Sequence, residues 1–315
     1  MLSPIVLFVY NRPDHTQKTL DALAQNELAK ESVLYVFCDG AKPNSSQNQV
    51  EKIKETREII KLEKQKIREG KGNFKNVIIT QQSQNLGLAD SILSGVTQII
   101  TKYGKVIVLE DDIVTSTGFL QFMNESLEFY KNQEKVMHIS GYMFPANLEN
   151  AIPNDEQTFF YRSTSCWGWA TWQRAWQTIN TDTVFLLSEL HSKNLLNEFD
   201  LDGTYQFSKQ LELNISGKIK TWAVKWYASV FLQNGLCLHP KTSLVQNIGT
   251  DSTGNTSPTT NYFWHNQLAD YVEVNPVQLT ENKQVVEQMK IYYRQFKLSF
   301  SQKISNRFRI FRGIK

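Results

Sequence analysis

Over roughly its first 130 residues the chain alternates short apolar runs with longer stretches whose apolar residues recur at helical spacing. The runs are Ile5–Tyr10, Ser32–Cys38, Val77–Thr80 and Lys105–Leu109. Continuous apolar runs of this length, rich in β-branched and aromatic residues, read as strands buried on both faces. Between them the pattern predicts a helix from about Asp14 to Leu28, with Leu20, Leu23 and Ala24 inward, and a charged helix over Gln47–Arg68 carrying Val50, Ile53, Ile60 and Ile67 on one side. A third covers Leu86–Tyr103, where Leu88, Ile92, Val96, Ile99 and Tyr103 share a face and Gly104 ends the helix. Phe119, Phe122, Met123, Leu127 and Tyr130 mark a fourth. Strand–helix alternation of this kind specifies the α/β class, with a mostly parallel sheet covered by helices on both faces.

Such sheets bind ligands outside the carboxyl ends of their strands. Three polar stretches stand there: Asn11-Arg12, Asp39-Gly40 and Glu110-Asp111-Asp112. They are predicted to converge on one cleft.

The second half reads differently. Ala146–Asp155 is polar and marks a boundary, dividing the chain into 1–145, 146–275 and a helical, basic tail at 276–315. Trp167-Gly-Trp-Ala-Thr-Trp172 opens a smaller, mainly helical region expected from about Ala170 to Gln233, with short strands near Leu236–Leu238 and Ser243–Val245. Gly249–Thr260, rich in Gly, Ser, Thr and Asn, is expected to form a mobile loop or lid. From Lys297 to Lys315 the tail carries six cations interleaved with Phe300, Ile304, Phe308, Ile310 and Phe311, and no acid.

Composition narrows the function classes. Apolar content of 41% and charged content of 21% suit a soluble globular protein, and a net charge of +3 is too small to imply a nucleic-acid partner. Cys38, Cys166 and Cys237 are odd in number, widely spaced and without a CxxC, which argues against a disulfide framework or zinc cluster and fits a reducing compartment. No apolar run approaches the ~20 residues that span a bilayer. The N-terminal run has no basic residue before it and reads as a strand, not a signal peptide, so the expected location is cytoplasmic.

Consecutive carboxylates at the end of a buried strand repel one another, and a divalent cation relieves that repulsion. Hard Mg²⁺ or Mn²⁺ takes one or two carboxylates and completes its shell with phosphates and water. Asp112 and Asp111 are the candidate ligands; the plainer alternative is a solvated acidic turn capping the next helix. Asp39 is a candidate acceptor for a base or ribose, or an ordinary Asp-Gly turn. Arg12 is placed to meet a phosphate or stack on a base. Asn85, Gly87 and Asp90 precede a helix and either contact a nucleotide or cap that helix. Trp167 and Trp169, separated by Gly168, are candidate platforms for a sugar ring, whereas Trp172 and Trp176 read as core.

In order along the chain, Pro4-Ile-Val-Leu-Phe-Val-Tyr-Asn-Arg-Pro13, Phe37-Cys-Asp-Gly40, Asn85-Leu-Gly-Leu-Ala89, Val108-Leu-Glu-Asp-Asp112 and Trp167-Gly-Trp-Ala-Thr-Trp172 resemble bacterial family-2-type glycosyltransferases of surface-polysaccharide synthesis. The set is more distantly similar to the N-acetylglucosaminyltransferase I group. The resemblance covers roughly residues 3–250. It implies a GT-A (Rossmann-like) fold, a nucleotide-sugar donor such as a UDP-sugar, and Mn²⁺ or Mg²⁺. By position, 1–145 would be the donor half and 146–275 the acceptor side. Asp112 would be the chief metal ligand, Asp111 and Glu110 would touch the donor or metal-bound water, and Asn11, Arg12 and Asp39 would hold the nucleotide. Inversion at the anomeric carbon is the default, and it needs a general base. The related group places that base in a Trp-Asp-Asp-Trp stretch; the matching stretch here is Trp222-Ala-Val-Lys-Trp226, with Ala223 and Val224 at the acidic positions. Asp251, Asp202 and Glu212 are the remaining base candidates, and His239 or His265 the candidates to complete a metal shell. The tail suggests a membrane-surface contact and a glycan or lipid-carrier-linked acceptor, the alternative being a tail packed on its own domain. A sugar-phosphate nucleotidyltransferase is the competing enzyme class, but its Gly-rich signature is replaced here by Tyr10-Asn-Arg-Pro-Asp14. A degenerate domain that only binds glycan or nucleotide is the non-enzymatic alternative.

Overall fold

Strand β1 (Ile5–Val9) is buried along its whole length, and its side chains part to two different cores. Ile5, Leu7 and Val9 join one cluster with Leu20, Leu23 and Ile60; Val6 and Phe8 join another with Ile92, Val96 and Trp226. Period-2 alternation in an all-apolar strand thus supplies both faces of a sheet that helices cover on each side. These features come from a computed structural model that describes residues 1–249 and 267–295.

β1 lies between β2 (Val33–Cys38) and β4 (Lys105–Glu110), and β3 (Asn76–Gln81) pairs with the outer edge of β2; all three pairings are parallel. The connecting helices are α1 (Pro13–Ala24), α2 (Gln47–Arg68) and α3 (Leu88–Tyr103). Pro13 starts α1 where its missing N–H costs nothing, and Ser46 and Gln49 close a reciprocal capping box on α2. Beyond β4 the same sheet continues through β8 (Trp169–Trp172), β6 (Val136–Ser140), β9 (Leu236–Pro240) and β7 (Thr158–Tyr161), giving the order β3-β2-β1-β4-β8-β6-β9-β7. The molecule is therefore α/β, with an eight-stranded sheet in which four of seven pairings are parallel. The two halves of the sequence share this sheet, since β8, β9 and β7 all come from beyond residue 145.

One segment departs from its expected form. The mainly helical region does not begin at Ala170; Trp169-Ala-Thr-Trp172 is a central strand, antiparallel to both β4 and β6. Trp169 faces the core under α3, and Ala170 and Trp172 face the opposite one. The helical spacing of Trp172 and Trp176 misleads because the chain turns into the four-residue helix α5 (Gln173–Trp176) directly after the strand. The helical region follows as α6 (Thr183–Ser192), α7 (Leu196–Phe199), α8 (Phe207–Ile215) and α9 (Ala223–Leu232) around Leu186, Leu190, Phe199, Leu211 and Tyr227.

Between these layers run α4 (Phe119–Phe129) and a two-stranded ribbon of β5 (Ile113–Thr115) and β10 (Val245–Asn247). The ribbon carries residues 247–249 back over the end of β4. Helix α10 (Lys283–Gln295) packs Val285, Met289 and Tyr293 on Phe159 and Tyr161. Arg162, beside β7, is held by the carboxylates of Glu281 and Glu198, which ties this last segment to the sheet. Among the described residues no helix is long and apolar enough to cross a membrane.

Candidate active site

Strand order reverses between β1 and β4: the chain steps outward through β2 and β3, then returns to the other side of β1. The loops at that switch point diverge and leave a crevice. Here it is a cleft of ≈ 270 Å³ whose walls include Asn11, Arg12, Asp39, Asn85 and all of Glu110, Asp111 and Asp112. The three polar strand ends do converge.

The acidic run is fixed at every residue by backbone contacts. Glu110 closes β4 opposite Phe8 of β1. Asp111 accepts the Tyr10 backbone N–H at 3.3 Å, and its own carbonyl accepts the Thr19 hydroxyl at 2.9 Å. Asp112 Oδ2 accepts Arg12 Nη1 at 2.7 Å, and its carbonyl accepts the Ile248 N–H at 2.9 Å. Gly249 lies so close over this ion pair that a Cβ there would sit 2.0 Å from Asp112 Oδ2. Only a residue without a side chain fits that cover unless the pair moves.

Burial, and then the charges of its neighbours Asp112 and Asp111, push the Glu110 carboxyl well above the usual range. Burial, then Asp112, raises Asp111 to about 7, while Asp112 is raised by burial and held back by Arg12. Raised carboxylates mean that the folded chain binds more protons than the unfolded chain between the ordinary carboxylate value near ~4 and about 7. The cluster's contribution to unfolding free energy therefore falls as pH rises through that window. Urea titrations near pH 5 and near pH 8 should show a smaller loss of stability in the double variant Glu110→Gln/Asp111→Asn than in the wild type. Equal losses would mean that the cluster carries no excess protons.

Across the cleft, Asp39 organises the opposite wall. Its carboxylate accepts the backbone N–H groups of Gly40 (2.8 Å), Leu86 (2.8 Å) and Gly87 (3.0 Å) and the side chain of Asn85 (2.8 Å). Four donors match the roughly four acceptor sites of a carboxylate. Asp39 thus reaches a ligand through the loop it holds, not through an oxygen of its own. Gly40 is required there by close approach, since a Cβ would meet the Gln84 backbone carbon at 2.4 Å. Arg57 clasps the same region by donating to the carbonyls of Asp39 and Gln82. Asn85 serves Asp39 and the Gly40 carbonyl, so it builds the loop, and α3 begins from Gly87.

Other sequence candidates fall elsewhere. Asp90 stands in the first turn of α3 and pairs with Lys220, a cleft residue. Trp169 is corrected: it is fully buried in β8, stacked on His138 and Trp222 at 5.4 and 5.2 Å, and has no face for a sugar. Gly168 makes room for Val245 and Phe119, not for a ligand. Trp167 is half-buried, in an edge-to-face contact with Tyr142 at 4.5 Å. Glu212 is paired with Lys209 on α8, Asp202 with Lys290 of α10, and neither lines the cleft. His239 is not a metal ligand here: its two ring nitrogens face the carbonyls of Tyr142 and Ser163, and burial lowers its pKa to about 4. Asp251, His265, most of the expected lid and the basic tail lie outside the described residues. Sequence reasoning missed Lys42 and Lys220, and it took Gly249 only as the first residue of an expected loop or lid, not as the cover of the Arg12–Asp112 pair. Lys42 was findable, three residues past Asp39; Lys220 arrives from a distant segment with no local signal.

The donor atoms at the acidic run are hard carboxylate oxygens with excess negative charge, which suits Mg²⁺ or Mn²⁺. Among the described residues no group of three or more His, Cys, Asp or Glu converges as a cage. The set fits an ion that takes one or two carboxylates here and the rest of its shell from phosphate and water.

No protein-family model matches the sequence, and no curated protein matches it. Among solved structures the chain is similar to residues 1–349 of S. aureus TarS, with 12% identity, 80% of this chain and 61% of that one covered, and a TM-score of 0.43. A longer S. aureus TarS structure gives 12% identity, 80% and 37% coverage and a TM-score of 0.39. A galactosyltransferase, LgtC, in complex with donor and acceptor sugar analogues gives 8% identity, 72% and 70% coverage and 0.36. The chain thus spans less than two thirds of the TarS chains it matches.

Proposed function

We propose that the chain is a glycosyltransferase of GT-A type. It would move a sugar from a nucleoside-diphosphate sugar, a UDP-sugar by preference, to a hydroxyl of a glycan or lipid-carrier-linked glycan in surface-polysaccharide synthesis. The observation that carries this reading is the opposition, within one switch-point cleft, of three charge-crowded carboxylates and a wall of cations and ordered loop backbone. A nucleoside diphosphate has the complementary parts: a polar nucleoside for the Asp39 loop and two phosphates for the cations.

Arg12, Lys42 and Lys220 all line the cleft and would meet the diphosphate oxygens. Asp111 and Asp112 would hold Mn²⁺ or Mg²⁺, which supplies Lewis-acid stabilisation of the leaving diphosphate. For this, Arg12 has to give up part of its hold on Asp112 as phosphate replaces it. The acceptor oxygen would form its bond to the anomeric carbon from the side opposite the breaking C–O(phosphate) bond, with inversion. Asp251, two residues beyond the Gly249 cover, is the remaining candidate to take the hydroxyl proton, because Asp202 and Glu212 stand outside the cleft. The basic tail would bring the enzyme to the inner membrane face, where such acceptors are carried.

A thermal-shift screen of nucleotide sugars, each with and without Mn²⁺, tests the reading, because a ligand of the folded state raises apparent stability. One nucleotide sugar should raise the melting temperature more than its free sugar, and more with Mn²⁺ than without. No shift with any nucleotide or nucleotide sugar would sink the proposal.

A further inference from the structure

Asp112 is held at both ends. Its carbonyl accepts the Ile248 N–H at 2.9 Å, and its carboxylate accepts Arg12 Nη1 at 2.7 Å. Both side chains line the cleft, yet that of Arg12 is only 13% exposed and that of Asp112 14%. The pair is shut in from above by residues 245–249.

This strap is tied down along its length. Val245-Gln-Asn247 pairs antiparallel with Ile113-Val-Thr115, the three residues directly after Asp112, and Asn247 stands opposite Ile113. The Leu244 carbonyl extends the tie by accepting the Ser116 N–H at 2.8 Å. Past the ribbon, the Gly249 N–H donates to Asn247 Oδ1 at 2.7 Å, and Asn247 itself is buried. His15 of α1 faces the Ile248 carbonyl at 3.3 Å, so the strap also meets the helix that Arg12 begins. Gly249 then rests on both members of the pair: a Cβ there would stand 2.0 Å from Asp112 Oδ2 and 2.8 Å from Arg12 Nη1.

Charge decides the consequence. Asp112 Oδ2 is the oxygen that Arg12 holds, and the same oxygen lies under Gly249. A guanidinium and a divalent cation on one covered oxygen repel each other, more strongly than in bulk water because the effective dielectric is lower. Asp111 offers less, since one of its oxygens is turned to the Tyr10 N–H. A diphosphate shifts this balance. It gives the guanidinium a bidentate anionic partner and brings further hard oxygens for the cation. Lys42 and Lys220 line the same cleft to receive it.

Resting on the donor and metal reading above, we infer that Arg12, clamped beneath the 245–249 strap, is an internal counter-ion that bars a divalent cation from Asp112 until a diphosphate draws the guanidinium away. Nucleotide therefore binds before metal. Arg12 serves twice, first as the counter-ion of the acidic run and then as a phosphate ligand. The strap makes the exchange all-or-none, because Gly249 touches both partners and has to yield when they part.

Titration with Mn²⁺ alone, followed by loss of the free-ion EPR signal, tests the barrier. Without nucleotide the wild type should hold Mn²⁺ weakly. Arg12→Gln should bind it about tenfold more tightly or better, because removing one member of a little-exposed pair leaves the other charge uncompensated. Arg12→Lys, which keeps the charge, should stay near the wild type. Adding Asp112→Asn to Arg12→Gln should abolish the gain; an unfolded chain would show neither the gain nor its loss. UDP and GDP, titrated calorimetrically in EDTA, test the order. At least one should bind the wild type without metal, and bind Arg12→Gln more weakly. Mn²⁺ affinity that Arg12→Gln does not raise, or a gain that survives Asp112→Asn, would overturn the barrier. A nucleotide that binds the wild type only when Mn²⁺ is present would overturn the order. Failure of the donor reading registers separately, as no binding of either nucleotide with or without Mn²⁺.

Discussion

Asp112→Asn is expected to lower the rate of sugar transfer by about 10²- to 10³-fold, equivalent to ~3–4 kcal/mol of lost transition-state stabilisation. The change keeps the shape of the side chain and removes its charge. Two consequences follow from the geometry. The Arg12 guanidinium, now held at 2.7 Å by the carboxylate, loses its charged partner at the point where the diphosphate is to be bound. The hard-oxygen donor set at the end of β4 is cut to Asp111 and Glu110, both of which hold protons more tightly than an ordinary carboxylate. Stability should change far less than activity. Loss of the ion pair with Arg12 destabilises, but removing one of three adjacent charges relieves the repulsion that raises the other two, and the terms offset. Initial rates with the nucleotide sugar chosen by thermal shift, set beside urea unfolding of the same variant, separate these effects. Retained turnover in Asp112→Asn would remove Asp112 from the reaction. An equal collapse of rate and stability would make the acidic run a structural turn.

Much of this was legible in the sequence because two-sided burial leaves a plain mark. Ile5–Val9 is apolar at every position since both faces of β1 are covered, and the same is true of most of β2 and β4. The polar residues that follow each run stand out by contrast, and the cleft was found from that contrast alone. What the sequence concealed was the direction in which a side chain is spent. Asp39 and Asn85 read as ligand contacts, but they face each other across a loop closure that no spacing between residues 39 and 85 announces. Trp169 read as a sugar platform because a Gly-Trp pair at a helix mouth looks open, whereas a strand inserted between β4 and β6 closes over it. Trp222 and Trp226 are likewise core: Trp222 stacks on Trp169, and the Trp226 indole N–H donates to His138 Nδ1 at 3.1 Å. An acid at Val224 would be buried among α6 and α8, which gives a physical reason for its absence from that position. The cover at Gly249 and the cation at Lys220 belong to contacts more than 100 residues long, invisible to local pattern.

Asp39→Ala should act in the opposite sense to Asp112→Asn, damaging the fold of the site before its chemistry. The substitution removes the common acceptor of three backbone N–H groups and the Asn85 amide in a residue only 8% exposed. An unsatisfied buried donor costs about 1–3 kcal/mol, and water entering from the cleft would recover part of that, so a loss of about 3 kcal/mol is expected in urea unfolding. Asp39→Asn should be little better. Its single carbonyl oxygen can serve two donors, but its NH₂ group must then face the other two, donor against donor. The contact between the Gly40 turn and the Asn85–Gly87 segment would relax, and with it the N-terminus of α3 that forms the cleft wall. In steady-state kinetics the loss should therefore appear mainly in KM for the nucleotide sugar, about tenfold or more, with kcat reduced less, because the groups at the leaving phosphate stay in place. Asp39→Asn with wild-type stability and wild-type KM would show that the loop does not depend on a carboxylate. A fall in kcat alone would move Asp39 from the wall of the cleft to its chemistry, against a geometry in which both of its oxygens already have two partners each.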